Sequence, residues 1–420
     1  MPGLTVSSRP AAPLSETSPS PDEMVARAAS MRELLRAEQQ ATEERSFYSE
    51  EIHDRFKQLG LYRIMQPKMF GGYEMSVETF YRVVMEIARG CPSTGWCFCL
   101  GSAHVLQLAS HFGEQAQREA FGDSGEFIAA ARDLPAGTVR PVAGGYEVSG
   151  TWNYCSGAPY STHFIGVAKL VDAQGNPDPD GERRLVMIPR ADWTLMDDWR
   201  GLLGMRGSGS HSIKVDKAII PEHFVVAGDV LETVDTEAGT PGFHLHGNAL
   251  YNGRNLGFFH GEFAAILSGI AHAAIDEYDT IIRLTRTVPP LSPGFKAEAA
   301  DYQRPLGIAL GQAAAAREAA LGGSRLLAQV SERGSNGGEP FSLEEDLLIE
   351  GLQAQSARLS YEVVEMLVRM SGSSNAVRNG RRMERYLRDA SVYRSHAQGS
   401  FVEIMATELA KVHLAGPGPN

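Results

Sequence analysis

The spacing of apolar residues changes twice along this chain, and that double change constrains the fold more than any other feature. From residue 20 to about Asp123, Val25, Leu34, Leu35, Ile52, Phe56, Leu59, Val83, Val84, Ile87, Leu106 and Leu108 recur at the intervals of one helix face. Gly60, Gly71-Gly72 and the Gly90–Pro92 break supply turns between helices. From Phe127 to about Val226 the apolar runs shorten to strand length, as at Tyr146–Val148, His163–Val171, Arg184–Ile188 and Ser212–Val215. The stretch from Gly175 to Gly181, rich in Asn, Asp and Pro, reads as a hairpin loop between two of these runs. After Gly242 the helical period returns, with alanine-rich stretches at Phe263–Ala274 and Ile308–Leu327. A period of 3.6 and a period of 2 do not serve the same element. The order is therefore helices, an antiparallel β module, then a helical bundle.

Local signals set the limits of these units. Ser20-Pro21-Asp22-Glu23 places a Ser cap, a Pro at the first helical position and a reciprocal Glu at one helix start; Ser342-Leu343-Glu344-Glu345 forms a second capping box and opens a helix towards Met370. Residues 1–19 are dominated by Ser, Pro and Thr and read as a disordered tail, because such a composition buries too little apolar surface to offset its ordering entropy. The predicted units are 20–124 (helical), 125–232 (β) and 233–420 (helical). The loop from Thr287 to Ala300, with three prolines, is long enough to be functional or to meet a second subunit.

Charge and composition narrow the function classes. With 39 Lys and Arg against 51 Asp and Glu the net charge is −12, which disfavours nucleic acid and anionic membrane as partners. No uninterrupted apolar run approaches the ~20 residues of a membrane span, and the first residues lack a secretory apolar core. Four cysteines are too few for a disulfide framework. The expectation is a cytoplasmic enzyme. Dinucleotide, P-loop, zincin and nucleophile-elbow motifs are all missing. Cys91, Cys97 and Cys99 lack zinc spacing and read as small buried residues, and His244-Leu245-His246 reads as a pair on a strand or loop without placeable carboxylates, so no metal site is expected.

Four segments remain, far apart in sequence. They are Gly90–Trp96 followed by His104; Gly150-Thr151-Trp152-Asn153-Tyr154-Cys155-Ser156-Gly157; Gly204-Met205-Arg206-Gly207-Ser208-Gly209-Ser210-His211; and Arg381–Asp389 followed by His396. Each alone reads as a turn, a core histidine or a solvated basic face. In this order, they resemble the acyl-CoA dehydrogenase superfamily, from about residue 20 to the end. That resemblance implies an α+β fold: an N-terminal helical domain, a central antiparallel β-barrel domain and a C-terminal four-helix bundle, assembled as a homotetramer.

The departure from the dehydrogenases is informative. Where many of them carry a catalytic glutamate after the Arg-Asp pair, Ser395-His396-Ala397-Gln398 stands here, with Ala397 at the glutamate position. Alanine cannot take a proton from carbon. Some dehydrogenases take their base from an earlier bundle helix, near Gly257–Phe263 of this chain, where Glu262 is the only carboxylate. The closer resemblance is to the two-component flavin monooxygenases built on this fold, whose marks are Trp96 with His104, the Trp152–Gly157 strand, and Arg388-Asp389 with His396. Asn153 and Cys155 depart from that pattern.

The resemblance implies a chemistry and a cast of residues. Reduced FMN or FAD arrives from a separate NAD(P)H-dependent flavin reductase and forms a C4a-hydroperoxide with O2, which hydroxylates an aromatic, phenol-like or polycyclic substrate. N- or S-oxygenation by the same intermediate and acyl-CoA dehydrogenation are the alternatives. Ser156 would face flavin N5. Trp96, Trp152, Tyr154, Gly157, Arg206, Gly207, Ser208 and Ser210 would contact the flavin, and His104 and His396 would flank the substrate as acid and base. Trp96, Phe98, Leu100, Phe258 and Phe259 would form a dry wall against water.

Overall fold

Ser20 opens the first helix as its sequence predicts: its hydroxyl accepts the Glu23 N–H at 3.2 Å while its own N–H donates to the Glu23 carboxylate at 2.6 Å. The structure, a computed structural model, describes residues 18–178, 181–228, 234–289 and 291–415. Most of the predicted tail, part of the 175–181 loop and the predicted boundary at 232 lie outside the described residues.

The N-terminal unit comprises α1 (Pro21–Ser30), α2 (Arg32–Arg45), α3 (Glu50–Gln58), α4 (Val77–Gly90), α5 (Pro92–Ser102), α6 (Val105–His111) and α7 (Glu114–Phe121). Helix α5 is buried on every side, which its lack of any charged residue permits. Seven strands follow among the described residues: β1 (Ala129–Val142), β2 (Gly145–Trp152), β3 (His163–Leu170), β4 (Arg183–Pro189), β5 (Thr194–Leu195), β6 (Ile213–Ile220) and β7 (Val225–Ala227).

The strands form one mixed sheet in the order β5-β6-β2-β1-β3-β4-β7, which corrects the expectation of an antiparallel barrel. Strands β1 and β2 form an antiparallel hairpin, and the connection 153–162 then carries the chain to the far side of β1, so β3 must run parallel to β1. The two edges are only two and three residues long and do not meet, which leaves the sheet open. Trp152 is fully buried in this module; its indole N–H donates to the Val167 carbonyl at 3.0 Å and its ring meets Phe164 at 5.2 Å. Gly137 makes room for it, since a Cβ there would stand 2.3 Å from two ring atoms.

The chain then turns through α8 (Pro241–His246) into long helices α9 (Leu256–Leu284), α10 (Ala300–Ser335) and α11 (Leu343–Met370). A short α12 (Ser373–Ala376) leads to α13 (Arg382–Ser395), α14 (Ala397–Ser400) and α15 (Val402–Ala415). Helices α9, α10 and α11 pack on one another, and α13 lies against α9 and α11. Glu345 closes the expected capping box with Ser342. Helix α9 is long and apolar enough to cross a membrane, yet 94% of its most apolar window is buried inside the protein. Its small residues let it press on α4: a Cβ on Gly269 would lie 2.6 Å from the Ala88 Cβ. His244 and His246 sit on α8, correcting their expected strand or loop, and bond the Ala238 carbonyl and Gln117 at 2.9 and 2.8 Å.

Candidate active site

The four segments singled out in the sequence converge. On α5 the Trp96 indole N–H donates to the Ser156 hydroxyl at 3.0 Å, joining the first segment to the second. Ser156 lies 2.7 Å from the Ser210 hydroxyl, and Ser210 lies 2.7 Å from Ser208, joining the second to the third. The Met205 N–H donates to Asp389 at 2.6 Å, and Arg388 donates to the Leu203 carbonyl at 2.9 Å, joining the third to the fourth. His396 caps α13 and sets its ring edge-on to Trp96 at 5.6 Å, closing the circuit.

A cleft opens where these segments meet, with about 1390 Å³ of empty volume including its mouth. Helix α9 supplies its floor through Phe259, Glu262 and Phe263, which share one face at spacings of three and four. Phe259 lies 6.3 Å from His104, and Phe263 lies 4.5 Å from His396. The β module supplies the opposite wall through Arg132, Tyr154 and Ser156, and α14–α15 contribute Met405 and the neighbouring Phe401 at the mouth. Tyr154 adopts a left-handed φ of 64° and leaves its ring 60% exposed, with the Arg132 guanidinium 5.9 Å from the ring centre. Such backbone strain on a non-glycine residue is expected where the fold must aim a side chain.

Both expected histidines line the cleft as neutral imidazoles. His104 donates from Nδ1 to the Ala129 carbonyl at 2.8 Å, which leaves Nε2 as its basic nitrogen. Burial pushes its pKa down to about 4. Burial first, then the Arg132 and His260 charges, hold His396 near 4 as well. The nearby thiols are inert: burial raises Cys91 to about 11 and Cys155 to about 12. All four cysteines are free and buried, as the sequence suggested for Cys91, Cys97 and Cys99.

Several expected contacts do not reach the cleft. Phe98 packs inside the N-terminal unit against Phe56 and Tyr62, and Phe258 stacks on Tyr81, so Leu100 and Phe259 alone of the expected apolar wall face the space. Trp152 is enclosed in the sheet. Ser208 and Ser210 stand behind Ser156, and Gly157 is pressed on Gly101 of α5. Gly207 abuts Thr42 and Ser93, while Arg206 donates to the Leu202 carbonyl and faces a separate cleft with Glu43 and Trp199. The basic run before His396 is divided: Arg378 and Arg381 are exposed, whereas Arg385 and Arg388 are buried ion partners of Glu43 at 3.0 and 3.1 Å.

Sequence reasoning missed Phe263, which follows Phe259 by one turn, and a buried array across three helices. There His260 bonds Glu350 at 2.8 Å and the Tyr393 hydroxyl at 2.6 Å. Partners 90 and 133 residues apart leave no local signal.

Comparison with known proteins agrees with this convergence. Residues 22–123 match the acyl-CoA dehydrogenase N-terminal domain and residues 262–401 match its C-terminal domain. A pigment production hydroxylase of Rhodococcus sp. is 30% identical over 350 residues, covering 80% of this chain and 82% of the relative. A flavin-dependent monooxygenase oxygenase subunit of Rhodococcus jostii is 26% identical, covering 86% of this chain and 91% of the relative. The chain belongs to the flavin-dependent monooxygenases of the acyl-CoA dehydrogenase superfamily. Among solved structures, XiaF of Streptomyces sp. in complex with FADH2 and glycerol superposes with a TM-score of 0.83 at 24% identity, covering 95% of this chain and 96% of that one.

The residues of this monooxygenase fit a planar flavin ring. The cleft offers an exposed aromatic face on Tyr154, a hydroxyl on Ser156 aligned by Trp96, and a neighbouring guanidinium on Arg132. Opposite them stand apolar rings and neutral imidazoles, an amphipathic lining of the kind that binds cofactors.

Proposed function

We propose that this protein is the oxygenase component of a two-component flavin-dependent monooxygenase that hydroxylates a phenol-like aromatic substrate. The single observation that carries this reading is the pair of neutral imidazoles, His104 and His396, on the α-helical side of a cleft whose other wall presents Ser156 and Tyr154. Relatives support it by name: an oxygenase component of p-hydroxyphenylacetate 3-hydroxylase from Acinetobacter baumannii is 30% identical over 224 residues, 53% of this chain. Ser156, Tyr154 and Arg132 would hold reduced FMN or FAD. When bound, the flavin supplies electrons to O2 for delivery of one oxygen atom.

The chain's own residues do the rest. His104 Nε2 accepts the phenol proton, which raises electron density on the ring; a neutral imidazole is the right form for that task. The hydroxyl series read from Ser208 through Ser210 to Ser156, with Trp96 also donating to Ser156, leaves the Ser156 proton for the cleft. His396, set against Trp96 and Phe263, orients the substrate from the other end. Phe259, Phe263 and Leu100 keep water from the reacting atoms. We further propose a cytoplasmic homotetramer supplied by a separate NAD(P)H-flavin reductase, with the three units divided near residues 124 and 232. The test is reconstitution. NADH and the protein alone should give no product, whereas adding an unrelated flavin reductase should start hydroxylation of a phenol panel. Turnover without a reductase would overturn the two-component reading.

A further inference from the structure

Three polar side chains buried between the long helices form a hydrogen-bonded chain that takes no part in the steps assigned to His104, His396 and Ser156. His260 of α9 is fully buried, and both its ring nitrogens are taken: Nδ1 lies 2.8 Å from a carboxyl oxygen of Glu350 on α11, and Nε2 lies 2.6 Å from the Tyr393 hydroxyl on α13. Burial first, then the Glu350 charge, raise the Tyr393 hydroxyl well above the ordinary tyrosine range, so it keeps its proton. That hydroxyl has no other acceptor among the described residues, and a buried O–H left without one is strongly disfavoured. Tyr393 therefore donates to Nε2, the ring proton sits on Nδ1, and Nδ1–H donates to Glu350. The chain has one direction, from Tyr393 through His260 to Glu350.

It ends at the cleft. Of the three residues Glu350 alone lines that space, on the helical side with Phe263 and His396. His260 holds one of its carboxyl oxygens; the other has no hydrogen-bond partner among the described residues, although only 3% of the residue is exposed. Buried polar atoms are rarely left unpaired. A carboxyl fixed at one oxygen and unpaired at the other, beside a cavity, presents a directed polar group to whatever fills that cavity. We propose that Glu350 is a substrate-contacting residue, that His260 and Tyr393 are its positioning residues, and that the site takes phenols bearing a second hydrogen-bonding group, such as an alcohol or amide, away from the reacting ring carbon. The inference rests on the monooxygenase reading and adds the second functional group of the substrate. An alcohol both donates and accepts, so it meets the Glu350 carboxyl with or without its proton.

The test uses matched pairs of uncharged probes that differ only in an alcohol against a methyl end: 4-hydroxybenzyl alcohol with 4-ethylphenol, 4-(2-hydroxyethyl)phenol with 4-propylphenol, and 3-(4-hydroxyphenyl)propan-1-ol with 4-butylphenol. Dissociation constants are measured anaerobically on enzyme loaded with reduced FMN or FAD. In at least one pair Glu350→Leu should weaken the alcohol relative to its alkyl partner by about tenfold, the loss expected of one hydrogen bond to a carboxyl. Glu350→Gln, which still accepts from His260 and bonds an alcohol, should keep that ratio within about threefold. Tyr393→Phe removes the donor that fixes the His260 ring; it should lower the same ratio by about threefold and leave the alkyl probe and flavin affinity unchanged, whereas a merely structural role would weaken both probes alike. Tyr393→Phe carries the test alone if Glu350→Leu does not fold. An alcohol preference that survives Glu350→Leu belongs to another group of the cleft, such as Glu262 or Arg132, and overturns the proposal. So does a ratio that no variant moves, alcohol and alkyl probes weakened in step, or flavin binding with no probe bound. If the unmodified protein binds no flavin, the monooxygenase reading falls and this inference falls with it.

Discussion

At the scale of single residues, the account makes His104 and His396 neutral working groups rather than charged ones. Because both sit near 4, activity should show no inflection around the ordinary histidine value of about 6.5. The acid limb should appear near 4, where protonation removes the nitrogen that accepts the phenol proton; a pH profile of kcat checks this, and a limb near 6.5 would contradict it. His396→Asn should cut product formation at least about tenfold while leaving flavin affinity within a factor of about two. Ser156→Ala, which removes the hydroxyl held by Trp96 and Ser210, should raise the share of electrons lost as hydrogen peroxide, read from peroxide formed per product. These residues were legible because each lies in a distinctive short segment. Trp152 and Phe98 were misread for a physical reason: aromatic residues in such segments serve packing as readily as binding, and only the fold decides which side of the strand or helix faces the cleft. Glu350, His260 and Tyr393 meet only in three dimensions.

At the scale of elements, β1 is the strand that sequence reading did not find. Its run from Ala129 to Val142 carries Arg, Asp, two prolines and a glycine, and a register shift between Arg132 and Gly137 breaks the alternation that signals a strand. Closure of the sheet was misjudged for a related reason, since strand periodicity reports elements and not their order. The helix starts at Ser20 and Ser342 were legible because capping chemistry is local. Two predictions belong here. Gly137→Ala drives a Cβ into the Trp152 ring and should cost about 1–3 kcal/mol, measured as a shift of the urea midpoint. Glu43 joins α2 to α13 through Arg385 and Arg388, all three nearly buried, so Glu43→Ala should destabilise by about 3–5 kcal/mol by leaving the Arg385 guanidinium without its anion, while Arg388 keeps Glu384. An unchanged midpoint in either variant would contradict the packing described.

At the scale of the whole molecule, a dehydrogenase fold is turned to a different chemistry by what lines its cleft. Glu262 occupies the floor, yet burial, and then the Asp133 charge, raise its carboxyl well above the usual carboxylate range and so favour the form that cannot take a proton from carbon. A panel of acyl-CoA thioesters should therefore leave the oxidised flavin unbleached, and bleaching by any of them would restore the dehydrogenase alternative. The order of helices, sheet and helices was visible in the apolar spacing alone, whereas the cleft was not, because four segments spread over some 300 residues assemble it. The most direct test supplies photoreduced FMN or FAD and isotopically labelled O2 to the protein with a panel of phenols. The account predicts a hydroxylated product carrying one labelled oxygen atom, with peroxide release slower than from free flavin. Unlabelled product oxygen, or flavin reoxidised at its free rate with peroxide as the sole product, would contradict it.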